Sequence, residues 1–236
     1  MNIRKCILLR ELESIPGVFQ CTLKLNLDSL SVADFVRENI VLPFSLIDAV
    51  NKRQIEFLSS RFCAKICLEN LGKLDDLNIP IAQDRSPIWP AGYCGSISHT
   101  DGWASAVVGK TTLLEGIGLD IEHKIKDAAP HLINEICCND SELLHLVSRM
   151  GIDHETALTM IFSAKESLYK AVFPRLNSFF GFHAAHLEAI DSERLSIGLV
   201  TDLSEKFTKS SSWQVIYKFY EPDLIETMVL DRKPAV

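Results

Sequence analysis

The amino-acid sequence predicts a mixed α/β (α+β) protein on three observations. Apolar residues alternate with period two in several short segments, as in half-buried strands. Elsewhere they recur at spacings of three and four, as in amphipathic helices. The 236 residues suffice for one large domain or two lobes of ordinary size, with ample length for a buried core. A hydrophobic fraction of 47% and a charged fraction of 23% are those of a soluble globular protein. No apolar run approaches the ~20 residues that a membrane span needs. The N-terminal stretch Met1 to Arg10 carries charge and a short apolar run. Arg10, Glu11 and Glu13 interrupt it before a signal-peptide core can form, so a cytoplasmic location is expected. The seven cysteines show neither Cys-x-x-Cys nor zinc-ligand spacing and read as reduced packing residues. A net charge of −7 argues against general nucleic-acid binding, although a local cationic pocket is compatible with it.

In chain order, residues 1–44 mix short apolar runs with turns at Pro16-Gly17 and Pro43, and Leu23 to Leu27 alternates like a strand. From Ser45 to Leu71 the pattern is helical, through Leu46, Ile47, Val50, Phe57, Leu58, Phe62 and Ile66, with Gly72 as C-cap. Arg53 and Arg61 lie two turns apart on that helix, offset by about 80° around its axis. They are placed either to flank one anion or to sit as ordinary surface arginines. Residues 73–95 read as loop, broken by Pro80, Pro87, Pro90, Gly92 and Gly95. The prolines stiffen the backbone around Trp89 and Arg85, a pairing that suits a phosphate beside a flat or apolar ligand segment, or a packed surface loop. Ser98-His99 precedes the apolar strand Ala104 to Val108. Adjacent strand residues point to opposite faces and the Gly-x-Ser-x-Gly elbow is absent, so a hydrolase dyad is disfavoured. A polar strand end donating hydrogen bonds to an anion, or a plain turn, remains.

The stretch Gly116-Ile117-Gly118-Leu119-Asp120-Ile121-Glu122 alternates cleanly, with Asp120 and Glu122 on one face. Two carboxylates so placed start roughly 6–7 Å apart at the backbone and can converge on one divalent cation, with the glycines admitting something bulky beside them. A solvated strand edge has the same pattern. Further on, Asn139 or Asp140 caps a helix whose first turn holds Glu142, where an acid complements the helix dipole. A second helix runs from His154 to Val172 and is expected to end at Pro174. Within it Glu166 and Lys170 share a face, either as a surface ion pair or as a metal-binding carboxylate beside a phosphate-binding ammonium. Residues 178–236 return to strands at 195–200, 213–220 and 227–230, and Phe179-Phe180-Gly181-Phe182 reads as part of a pocket wall.

Taken in order, Trp89-Pro90-Ala91-Gly92, Gly95-Ser96-Ile97-Ser98-His99, Gly118-Leu119-Asp120-Ile121-Glu122 and Phe162-Ser163-Ala164-Lys165-Glu166-Ser167 closely resemble the 4′-phosphopantetheinyl transferases. The resemblance is to the large, surfactin-type class, and within it to the enterobactin synthase component D group, over about residues 45–185. It implies two similar α/β lobes in a pseudo-two-fold arrangement, residues 1–110 and 111–236, split near 108–115, with the site in the cleft between them and a monomeric enzyme. It implies magnesium held by Asp120, Glu122 and Glu166, and coenzyme A held by Arg53, Arg61, Arg85, Ser98 and His99 together with Asp120, Glu166, Lys165 and Lys170. Glu166, Glu142 and Lys170 take the catalytic positions, with either glutamate as the base. Leu119 and Thr100 depart from the commoner residues of the motifs, and neither is a proposed ligand.

The implied reaction transfers 4′-phosphopantetheine from coenzyme A to a serine of an apo acyl or peptidyl carrier protein and releases 3′,5′-ADP. Siderophore or other nonribosomal peptide synthesis is the expected setting, with coenzyme A as a consumed substrate. Oxygen ligands suit magnesium better than zinc, which agrees with a site of three acids. Two rival readings are a magnesium-dependent phosphohydrolase and a non-catalytic carrier- or coenzyme A-binding module.

Overall fold

The computed structural model describes residues 3–26, 30–75, 77–189 and 195–234. Leu27 and Asp76, which belong to the expected strand and loop above, lie outside the described residues. The chain forms two compact units, Met1–Glu115 with Lys233–Val236, and Gly116–Arg232. In both, a long helix packs against an antiparallel sheet.

In the first unit the sheet comprises β1 (Ile7–Glu11), β2 (Val18–Lys24), β3 (Tyr93–Thr100) and β4 (Trp103–Lys110), in the order β1-β2-β4-β3. β3 and β4 form a hairpin in which Thr100 pairs with Trp103 and Ser98 with Ser105. The turn between them carries Gly102 at φ +73°, a left-handed position that glycine occupies without strain. A five-residue helix, α1 (Val32–Val36), precedes the long α2 (Asn51–Asn70). Ile55, Leu58 and Phe62 of α2 pack with Cys21 and Leu23 of β2 and Ala104, Ala106 and Val108 of β4. Fully burying each of the larger of these side chains contributes about 1.5–3 kcal/mol.

The helix expected over 45–71 begins only at Asn51. Residues Phe44–Leu46 form a separate 3-10 turn, and the Gln54 side-chain amide donates to the carbonyls of Leu46 and Ile47, so those oxygens need no helical partner. Its C-terminal end agrees with expectation. Gly72 is left-handed, Lys73 N–H donates to Leu68 O at 3.0 Å and Gly72 N–H to Glu69 O at 3.1 Å, the two bonds of a Schellman closure.

In the second unit the strand order is β5-β9-β8-β7-β6, with β5 at Leu114–His123, β6 at Ala185–Ala189, β7 at Leu195–Leu199, β8 at Ser212–Glu221 and β9 at Leu224–Arg232. Helices α3 (Pro130–Ile136), α4 (Asp140–Met150) and α5 (His154–Leu176) complete it. Ile161, Leu168 and Val172 of α5 share a core with Ile197, Val215, Ile225 and Val229. The N-cap of α4 is Asn139, whose side chain accepts from Glu142 N–H at 3.1 Å.

Helix α5 corrects one expectation: Pro174 lies inside it, and the helix runs on to Leu176. Proline removes a donor, but this close to the C-terminus few helical bonds depend on it. Asn177, left-handed at φ +52°, closes the helix by donating to Phe173 O at 2.8 Å, and Arg175 forms an ion pair with Asp231. Among the described residues no helix is long and apolar enough to cross a membrane.

Candidate functional site

Asp120 of β5 and Lys170 of α5 meet because two glycines let helix and strand touch. A Cβ on Gly118 would lie 1.6 Å from the Ser167 carbonyl oxygen, and one on Gly116 would lie 2.1 Å from that of Ala171. The bulky neighbour expected beside these glycines is therefore the backbone of α5 itself, and not a ligand. Hydroxyl contacts to β9, the neighbour of β5 in the sheet, fix the helix as well. Ser163 and Ser167 meet Thr227 Oγ1 of β9 at 2.9 and 2.8 Å, and Ser167 also donates to Thr227 O at 2.9 Å. Both serines belong to the third sequence motif, yet their work is to seat α5 on the sheet, which helical spacing alone does not disclose.

That seating brings Lys170 Nζ to 2.7 Å from Asp120 Oδ1, while the same ammonium donates to Leu119 O at 3.0 Å. Asp120 is buried, and Glu122 follows two residues along the same strand face, half-buried. Glu166 stands one turn before Lys170 on α5. Burial raises its carboxyl above the ordinary value; the Lys170 charge opposes this, and the negative charge of Asp120 adds to it. Asp120 and Glu166 thus sense each other as like charges. Two carboxylates in repulsion, with Glu122 along the strand from one of them and oxygen donors only, are chemistry that a hard divalent cation relieves, and the residues fit magnesium on that ground.

Glu142 and Lys165, expected among the catalytic and coenzyme A-binding residues, are brought to each other. Lys165 Nζ donates to Glu142 Oε2 at 3.0 Å, to Ile136 O at 2.8 Å and to Cys138 Sγ at 3.5 Å. Glu142 also accepts from Cys138 N–H at 2.8 Å and Leu187 N–H at 2.7 Å. Both side chains are almost fully buried, at 2% exposure for Lys165 and 0% for Glu142. Beside this pair opens a cavity of about 500 Å³, lined by Glu166, Tyr169, Phe179, Phe180 and Phe182 among others. The Tyr169 ring packs against Phe173 and Phe180, each at 5.2 Å between centroids, and so holds the aromatic wall together. Phe179 to Phe182 line the pocket, in line with the sequence reading.

In the first unit Arg53 Nη1 lies 2.8 Å from His99 Nε2. A guanidinium only donates, so Nε2 accepts and the ring proton sits on Nδ1, which faces Glu56 Oε2 at 3.8 Å. Glu56 also lies 3.9 Å from Arg53. Sequence reasoning did not single out Glu56, although its place one turn after Arg53 on α2 was the available signal. Ser98 is buried in the β3–β4 hairpin.

Arg61 does not join His99. Its guanidinium lies 4.3 Å over the Phe57 ring and Nε donates to Ile79 O at 3.3 Å, at the edge of a second cavity of about 590 Å³ lined by Ile40, Pro43, Leu77 and Ile81 among others. Burial, with the like charge of Arg53 second, lowers its pKa to about 10. It remains a cation at neutral pH and has no carboxylate partner among the described residues. Arg85 is exposed in a left-handed turn, at φ +72°. Trp89 packs over Gly95 of β3, where a Cβ would stand 2.8 Å from its ring and 2.6 Å from Val107 O.

Comparison with known proteins covers both units. A family model described as the 4′-phosphopantetheinyl transferase N-terminal domain matches residues 44–109, and one described as the 4′-phosphopantetheinyl transferase superfamily matches residues 116–223. The chain is 33% identical over 142 residues to the 4′-phosphopantetheinyl transferase PptT of Mycobacterium tuberculosis, covering 59% of this chain and 60% of that protein. It is 33% identical over 161 residues to enterobactin synthase component D of Salmonella typhi, covering 66% and 63%. With the 4′-phosphopantetheinyl transferase Npt of Nocardia iowensis it shares 32% identity over 142 residues, covering 59% and 60%. The matches thus span about three fifths of each relative's own length.

Proposed function

The chain belongs to the 4′-phosphopantetheinyl transferase superfamily, and from that premise we propose that it moves 4′-phosphopantetheine from coenzyme A to a serine of an apo acyl or peptidyl carrier protein. The observation that carries this reading is the Lys170 clamp on Asp120 beside a Glu166 whose proton affinity is raised. Phosphoryl-type transfer asks the protein for positioning and for charge compensation, and this cluster has groups for both. Asp120, Glu122 and Glu166 would hold magnesium, which supplies neutralisation of the pyrophosphate charge when bound. Lys170 offsets charge on the departing oxygen. Arg53, Arg61, Arg85, Ser98 and His99 contribute cationic and hydrogen-bonding groups for coenzyme A phosphate, and the aromatic-walled cavity beside Glu166 offers space for an apolar chain.

For the proton, Glu166 is the candidate base. The carboxylate of Glu142 is already engaged by Lys165 and two backbone N–H groups, whereas Glu166 lines the open cavity. The serine proton passes to Glu166, the serine oxygen bonds to the β-phosphorus, and the bond from that phosphorus to the oxygen of 3′,5′-ADP breaks. Relatives named enterobactin synthase component D make carrier domains of siderophore synthesis the first partners to test. A monomer acting in the cytoplasm completes the reading.

The test is to incubate the protein with an apo carrier, coenzyme A and Mg²⁺ and to weigh the carrier. A mass gain of one phosphopantetheine, matched by 3′,5′-ADP, is expected. No gain on any of several carriers would refute the assignment, and 3′,5′-ADP released without a carrier would turn the reading toward a phosphohydrolase.

A further inference from the structure

The second unit holds another group of potential ligands, of a different chemical kind. Cys138 lies between α3 and α4, Glu142 in the first turn of α4 and His186 on β6. One candidate ligand atom from each lies within 4.8 Å of the others. His186 Nδ1 is 3.8 Å from Glu142 Oε1. Ligands of one tetrahedral zinc ion, at about 2.0–2.3 Å from it, stand roughly 3.5 Å apart, so side-chain adjustment within the present backbone closes the set.

We propose that Cys138, Glu142 and His186 form a binding site for a borderline divalent transition-metal ion, with zinc(II) as the natural occupant. The donor set is thiolate, carboxylate and imidazole, which selects such an ion over magnesium. The carboxylate is pre-positioned by the segments that bear the other two ligands. Glu142 accepts from the N–H of Cys138 itself and from the N–H of Leu187, the residue after His186. Lys165 and Cys138 N–H occupy Oε2, while Oε1 takes the single Leu187 bond and faces His186. Cys138 and His186 are half-buried, which leaves an approach for the ion and a fourth position for water. On binding, the sulfur–metal bond forms as the Cys138 thiol loses its proton to solvent, so affinity rises with pH. None of this rests on the transferase reading.

The test titrates the full-length protein with Co²⁺ in a non-thiol reductant and excess Mg²⁺, which keeps the carboxylates of β5 and α5 supplied with a cation of their own. One equivalent is expected to bind with a thiolate-to-cobalt charge-transfer band, and Zn²⁺ is expected to displace it. Cys138→Ser should remove the band, and His186→Ala should weaken binding by at least about tenfold. In the unmutated protein Zn²⁺ should slow alkylation of Cys138, read by peptide mass spectrometry, which needs no variant to fold. Absence of the band at one equivalent, a band or affinity that survives either substitution, or Cys138 alkylation indifferent to Zn²⁺ would overturn the proposal.

Discussion

At the residue scale, two glutamates illustrate how burial divides one side-chain type between structure and chemistry. Glu142 and Lys165 form a buried, fully hydrogen-bonded pair, and removing one partner of such a pair strands the other charge in a poor solvent. Glu142→Ala is expected to lower unfolding free energy by about 3–5 kcal/mol, and a Glu142→Leu/Lys165→Met double variant should lose less than the sum of the two single losses. Urea denaturation measures both; additive losses would mean that the pair is not coupled. Glu166 behaves in the opposite sense. Its folded pKa is raised above the ordinary glutamate value of 4.5, so the folded state holds its proton more tightly than the unfolded chain does. Ionisation therefore costs stability as pH rises from about 4.5 through the raised folded value, and the full cost is present above that. Without divalent cations, Glu166→Gln should melt higher than the parent at neutral pH, with the gap closing as pH falls below 4.5. A variant that melts at or below the parent at pH 7 would contradict the shift.

At the element scale, the contact between β5 and α5 builds the candidate site. Strand alternation assigns Gly116, Gly118, Asp120 and Glu122 to one face, and the absence of two side chains there lets the helix backbone come down onto the strand. Only at that distance does Lys170, on a helix 23 residues long, reach Asp120. Gly118→Ala is expected to push α5 away, costing about 2–3 kcal/mol or more in urea denaturation and most of the transferase activity proposed above. Normal stability with normal activity would show that the helix can yield without consequence. The same reasoning explains why Ser163 and Ser167 are small and polar: each fits a close helix–sheet seam and meets the Thr227 hydroxyl of β9.

At the scale of the whole molecule, a net charge of −7 conceals how the charges are distributed. Arg53 and Arg61 are close enough on α2 to repel each other, and Asp120 and Glu166 repel in the second unit. Such opposition lowers stability and is tolerable only where each unit has a sufficient core. The first draws on α2 against β2 and β4, the second on α5 against β7, β8 and β9. Both cores were legible as periodicity, because burying one face of a helix or strand imposes a spacing on the sequence. Less legible were β1, an exposed edge strand, and β3, whose Ser96, Ser98 and His99 look like a turn until β4 pairs with them.

By itself the sequence determined the mixed α/β class, the long helices and later strands, the pairing of acids on 116–122, and through its motifs the family. Local spacing and turn chemistry are properties of neighbouring residues and need no fold to be read. Tertiary structure alone decided which acid each lysine of α5 faces. It assigned Lys170 to Asp120 and Lys165 to Glu142, although the two lysines are only five residues apart on one helix. Five residues turn a helix by about 140°, so the two ammonium groups leave α5 in different directions, and what each meets depends on elements packed there from 20 to 50 residues away.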